Sequence, residues 1–133
     1  MERTEIRRTA WRPFLDEFSR RHHGWLVTLG VIDTELLRRS MEAEAHLVVE
    51  NAVFEGMDLE QRAEGEQIAV VLGREHTLSR HAVRAPRRMF VERDGELEEE
   101  GLRVDATDGS TLLMRFRAAA PPEALNGLAK TEA

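Results

Sequence analysis

Arg80, Arg84, Arg87 and Arg88, around the stretch RAPRR at 84 to 88, are the basic residues of this sequence best grouped to hold an anion. A guanidinium is a planar fork that grips phosphate or carboxylate oxygens in pairs, so the cluster nominates an anion or nucleic-acid contact. Two features oppose it. Glu92, Asp94, Glu96, Glu98, Glu99 and Glu100 follow closely and would neutralise it by loop or cross-strand pairing, and no aromatic interleaves the arginines to stack bases. Phe90 alternates with Met89 and Val91 and is assigned to packing. The acidic run lacks regular ligand spacing and is expected to be a solvated loop.

The histidines offer less. His22 and His23 follow Arg20 and Arg21 in the last turn of an expected helix, where positive side chains answer the helix dipole. His76 and His81 are five apart, so on a regular strand they point to opposite faces and cannot share a metal. Ser79 and His81 do share a face. A Ser–His nucleophile needs contact between the two and a third group orienting the imidazole. Two residues apart along a strand they are nearly a full repeat from each other, so covalent catalysis is not expected.

The stretch RVDATDGSTLLMRF at 103 to 116 raises the question of a ligand loop. Asp105 and Asp108 precede Gly109 with the wrong spacing for an EF-hand, and the closing glutamate is missing. A phosphate loop would need more glycines, a lysine and a following helix. Strand parity decides the matter. Leu102, Val104 and Ala106 share one face, as do Leu112, Met114 and Phe116, and opposed residues point to the same side of a sheet. Only paired numbers with an even sum bring both apolar sets to one core. That demands a three-residue loop, Thr107-Asp108-Gly109, with Gly109 in the left-handed position, and sets Val104 opposite Leu112 and Leu102 opposite Met114. The loop is a hairpin turn.

These groups must be positioned by a chain of 133 residues, which suits one core. Hydrophobic residues make up 41% and charged residues 33%, as in a globular protein with a charged surface. There is no cysteine, so disulfides and thiolate chemistry are excluded, and no metal or other cofactor is expected. No apolar run approaches a membrane span and the start carries no secretory h-region, so a cytoplasmic protein without membrane contact is the default expectation. The net charge of −6 makes nucleic acid an unfavoured main partner. Lys130 is the only lysine, a bias toward arginine that GC-rich codons produce.

The first element is predicted to be a helix from Ala10 to His23, with Trp11, Phe14, Leu15 and Phe18 in one stripe, Thr9 as cap and Gly24 just past its end. GWLVTLGVI predicts a strand. After an Asp33 cap, Thr34 to Met41 predicts a short helix; Val48 to Leu59 predicts extended chain with Gly56 at a bulge or turn. The segments EQIAVVLG, TLSRHAV, RRMFVER, LRVDA and TLLMRF predict further strands, with Ile68, Val70 and Leu72 facing one way and Pro86 ending one ladder. Residues 119–133, with Pro-Pro and little to bury, predict a loosely held tail beyond a single domain at 1–118.

WRPFLDEFSRRHHGW at 11 to 25, IAVVLG at 68 to 73, HAVRAPRRMFVER at 81 to 93 and LRVDATDGSTLLMRF at 102 to 116 together resemble a family of short bacterial proteins known only as a domain of unknown function. With their intervening loops they span most of the chain. None is chemically diagnostic, and the resemblance implies no activity, cofactor or site residue.

The expected architecture is α+β: a mostly antiparallel sheet of about six strands, curved or partly barrel-like, covered by the N-terminal amphipathic helix. The expected function is a non-catalytic binding or assembly module, with a homodimer as partner because the strands carry more apolar surface than one helix covers. A nucleic-acid accessory protein using the arginine cluster is the alternative, and a small hydrolase resting on Ser79, His81 or the Asp105–Asp108 pair is the second.

Overall fold

The computed structural model describes residues 2–39, 45–74, 76–94 and 99–118. The tail expected at 119–133, residues 95–98 of the acidic loop expected at 94–101 and the end of the expected second helix therefore lie outside the described residues, while Asp94 and Glu99 to Gly101, expected in that loop, are strand. The order of elements is β1 (Glu2–Glu5), a 3-10 turn (Arg8–Ala10), α1 (Trp11–His22), β2 (Leu26–Asp33), α2 (Thr34–Arg39), β3 (His46–Arg62), β4 (Gly65–Arg74), β5 (Thr77–Arg84), β6 (Pro86–Asp94), β7 (Glu99–Ala106) and β8 (Ser110–Arg117). The strands form one antiparallel sheet in the order β1-β6-β7-β8-β2-β3-β4-β5. The class is α+β as expected, but the sheet has eight strands rather than about six, and it does not close into a barrel.

It is nonetheless tightly curled. β5 and β6 lie six places apart in the sheet yet are joined by Ala85 alone. Six strand spacings would separate them by about 29 Å in a flat sheet, whereas one linking residue spans about 7 Å at most. The sheet must bend until its two ends meet at this corner. Ala85 holds it: its amide donates to the Glu66 carbonyl and its carbonyl accepts from the Thr107 amide, both at 3.0 Å. Arg8 adds a clamp, pairing with Glu66, donating to the Pro86 carbonyl and lying over the Trp11 ring.

The concave face is the core. Val27, Leu29, Leu102, Val104, Leu112, Met114 and Phe116 line its middle, and Phe54, Leu59, Ile68, Val70 and Leu72 one side. α1 lies against β3 and fills the curl. Trp11 and Phe18 are buried and Phe14 partly so. Ser19 Oγ fixes the helix by accepting from the Met57 amide and donating to the Met57 carbonyl, beside the β3 register shift between Phe54 and Gly56. Thr9 does not cap α1: it lies in the 3-10 turn, and Ala10 at the cap position offers no side-chain bond. Gly24, with φ +88°, follows the helix in the left-handed conformation. Asp33 does cap α2, its Oδ1 accepting from the Leu36 amide at 3.0 Å.

His22 departs from the expected dipole role. It is buried, with its ring 4.1 Å from Phe18 and 4.5 Å from Trp25, and its Nδ1 lies 2.8 Å from the Phe18 carbonyl. Its position explains this: it continues the stripe of Trp11, Leu15 and Phe18. His23 is the exposed member, with Nδ1 3.2 Å from the Glu55 carbonyl.

The final hairpin has the register that parity required. Val104 pairs with Leu112 and Leu102 with Met114, and Gly109 has φ +92°. Asp108 Oδ1 accepts from the Ser110 amide and hydroxyl, which closes the turn.

Candidate functional site

The four arginines of the cluster do not converge. Parity and the corner at Ala85 divide them. Arg80 and Arg84 lie on β5 before the corner; Arg87 and Arg88 lie on β6 after it. Arg80 is paired with Glu60, whose carboxyl is held below its usual range by hydrogen bonds from Gln67 and Arg62 against the opposing effect of burial. Arg88 grips both oxygens of Glu5, Nε at 3.1 Å and Nη2 at 2.8 Å, which lowers the Glu5 carboxyl and raises the guanidinium. The neutralising acids thus come from β3 and β1. The sequence pointed instead to the run after residue 92, and Glu92 itself approaches Arg3. Arg84 and Arg87 make no ion pair among the described residues.

Besides a groove on the outer face of β4 and β5 that Arg62, Glu64, Glu66, Arg80 and Arg84 line, two clefts border these arginines. The first opens on the concave side, where the edge strand β5 faces the far ends of β2 and β8. Leu29, Val31, Val83 and Leu112 give it an apolar lining, Arg80, His81 and Arg84 stand on β5, and its volume is about 480 Å³. Ser79 Oγ is 3.2 Å from His81 Nε2, so the pair is in contact, closer than strand spacing suggested. The side chains lean together across one repeat. Among the described residues no carboxylate is hydrogen-bonded to His81 to orient it.

The second cleft, about 420 Å³, lies on the convex face between α2 and the hairpin end of β6 to β8, with Arg38, Arg87, Arg88, Arg103, Asp105 and Thr107 in its lining. Its base is a buried polar chain. Arg103 Nε and Nη2 donate to the two oxygens of Asp105 at 2.9 and 3.1 Å. Thr111 Oγ1 donates to Asp105 Oδ1 at 2.8 Å and lies 2.6 Å from Thr34 Oγ1. Burial pushes the Asp105 carboxyl up, but the hydrogen bonds from Arg103 and Thr111 and the charge of Arg103 outweigh it and hold the carboxyl below its usual range. Arg88 and Arg103 both lie over the Phe90 ring, at 4.9 and 5.0 Å from its centre. Phe90, expected in the core beside Met89 and Val91, is buried instead on the outer face against guanidinium groups, because it alternates with those two core residues. Sequence reasoning missed Arg103. The signal was an Arg-x-Asp pair alternating with core residues Leu102 and Val104.

Asp105 and Asp108 do not form a carboxylate pair, since the first serves Arg103 and the second Ser110. His76 and His81 are likewise not brought into a metal set: among the described residues no group of three or more His, Asp or Glu could hold an ion. No helix among them is long and apolar enough to cross a membrane.

Fold and clefts define a small α+β protein with an open, curled antiparallel sheet filled by one helix. The chain belongs to the family of unknown function DUF5335, whose model matches residues 2–126. It is also similar to the crystal structure of the Bacillus subtilis YojF protein, with a TM-score of 0.47 and 8% identity over 91% of this chain and 97% of that one. No curated protein matches it.

Proposed function

We propose that this protein is a non-catalytic binding module whose concave cleft takes a small amphipathic anion, an apolar body ending in a carboxylate. One observation carries this: an apolar lining of Leu29, Val31, Val83 and Leu112 is bordered at the open edge of β5 by Arg84, which alternates with Val83 and has no ion-pair partner among the described residues, while the lining carboxylate Asp108 is held by Ser110. The cleft volume of about 480 Å³ falls among those of ligand sites, which combine apolar walls with a few polar groups. Burying the apolar body supplies affinity at roughly 25 cal/mol per Å², and the guanidinium fixes its orientation. Calorimetric titration with decanoate tests the assignment. Saturable binding with a negative heat-capacity change is expected, weakened about tenfold by Arg84→Gln, the loss of one charge-assisted contact. Equal binding of decanol, or no saturable heat, would refute it.

Assembly, on the same proposal, uses the start of β3. Leu47 and Val48 are 54% and 44% exposed, and β4 pairs with β3 only from Val53 onward. A second copy of the chain covers this edge. Val48 also lines the concave cleft, so Leu47 is the residue to change: sedimentation should show a dimer that Leu47→Glu dissociates, and a wild-type monomer at micromolar concentration would remove the case.

A further inference from the structure

We propose that the convex-face cleft is a second, separate site, which takes the phosphate of a small phosphate monoester. The donor count points there. Arg103 and Arg88 each spend Nε and Nη2 on a carboxylate, Asp105 and Glu5 respectively. Neither Nη1 has an acceptor among the described residues, although both arginines line the cleft. Arg103 is 8% exposed, so its guanidinium is held rigidly and is largely shielded from water. A buried donor without an acceptor is costly unless something fills the position.

The charges of the lining are balanced, so the placement of donors rather than net charge carries the site: Asp105 is matched by Arg103 and Glu35 by Arg38, while Asp33 caps α2 and keeps its charge. Arg88 is matched by Glu5. Arg87 is left as the lining cation with no ion pair among the described residues. One guanidinium without an ion pair and two Nη1 groups without an acceptor, among the described residues, suit a group with three terminal oxygens better than a carboxylate with two. Holding Arg88 and Arg103 by bidentate pairs and by the face of Phe90 removes their rotamer freedom before a ligand arrives, which lowers the cost of binding. The volume of about 420 Å³ leaves room for the organic part of an ester.

The test is a titration of the isotope-labelled full chain with phenyl phosphate, followed by NMR at the Nε–H groups of Arg88 and Arg103 and the amides of Arg87, Thr107 and Gly109. Saturable shifts confined to this face are expected. Arg87→Gln should weaken binding about tenfold, and folding should be unaffected because Arg87 is exposed. Arg74→Gln, equal in charge change but on β4, should leave it unchanged. Inorganic phosphate binding as tightly as the ester would overturn the monoester assignment. Equal weakening by Arg74→Gln and Arg87→Gln would show general charge attraction only, and the absence of saturable shifts would overturn the site. Decanoate binding at the concave cleft has no bearing on any of these outcomes.

Discussion

Replacing Asp105 by Asn tests the buried polar chain directly. The side chains of Arg103 and Asp105 are 10% and 8% exposed, and the carboxylate meets the guanidinium at two points. The substitution keeps shape and one acceptor oxygen but removes the charge, so Arg103 becomes a shielded cation without a counter-ion. Breaking one side of a buried pair costs about 3–5 kcal/mol. The low end applies here, because Arg103 borders an open cleft and Asn retains a bond to Nε or to Thr111; about 3 kcal/mol is expected. Urea unfolding followed by tryptophan fluorescence should show a lower midpoint at unchanged slope. Replacing the pair together, Arg103→Met with Asp105→Leu, should recover most of the loss, since apolar residues of similar size remove the desolvation cost with the charges. The pH dependence carries the sign. The folded Asp105 carboxyl lies below its ordinary value, so between the two values the unfolded chain binds more protons. Its contribution is therefore present above about pH 4 and lost as pH falls through the folded value. Asp105→Asn should flatten that part of the acid limb. A loss under about 1 kcal/mol, the range of exposed pairs, with an unchanged acid limb would refute the assignment of a buried, charge-matched pair.

Phe18→Ala should cost roughly 3–5 kcal/mol, because the ring is fully buried against Phe14, His22, Phe54 and Phe116; a melting temperature within a few degrees of wild type would contradict its place at the helix–sheet contact. Gly109→Val should destabilise by about 1–2 kcal/mol through its positive φ, while Asp108→Asn, which keeps the oxygen that Ser110 uses, should change the unfolding midpoint little. Ala85 also has a positive φ, +49°. Ala85→Gly should thus be neutral or stabilising by up to about 1 kcal/mol, and Ala85→Val clearly destabilising; the reverse order in thermal unfolding would contradict the strained corner.

Local pattern determined much of this protein. The stripe of α1, Gly24 after it, the Asp33 cap, the facing of Ile68, Val70 and Leu72, and the final hairpin register all follow from interactions within a few residues, or from a period that one stretch displays in full. Parity is strong for that reason: a slip of one residue turns an entire apolar set outward. The sites were not legible in the same way. β1 is a charged stretch with little β propensity, and it is a strand because β6 offers an open edge, pairing Thr4 with Val91 and Glu5 with Phe90. Such contacts between distant residues leave no local period. The same holds for the seam where β8 pairs with β2, Met114 opposite Leu29, which brings α2 over the final hairpin and makes the convex cleft. The arginine cluster looked continuous along the chain, but a single alanine between β5 and β6 turns its halves toward different clefts. Pro86 marked the end of a ladder there, but not the corner's direction, which is imposed by the curl of the whole sheet and held by Glu66 of β4 and Thr107 of the final turn.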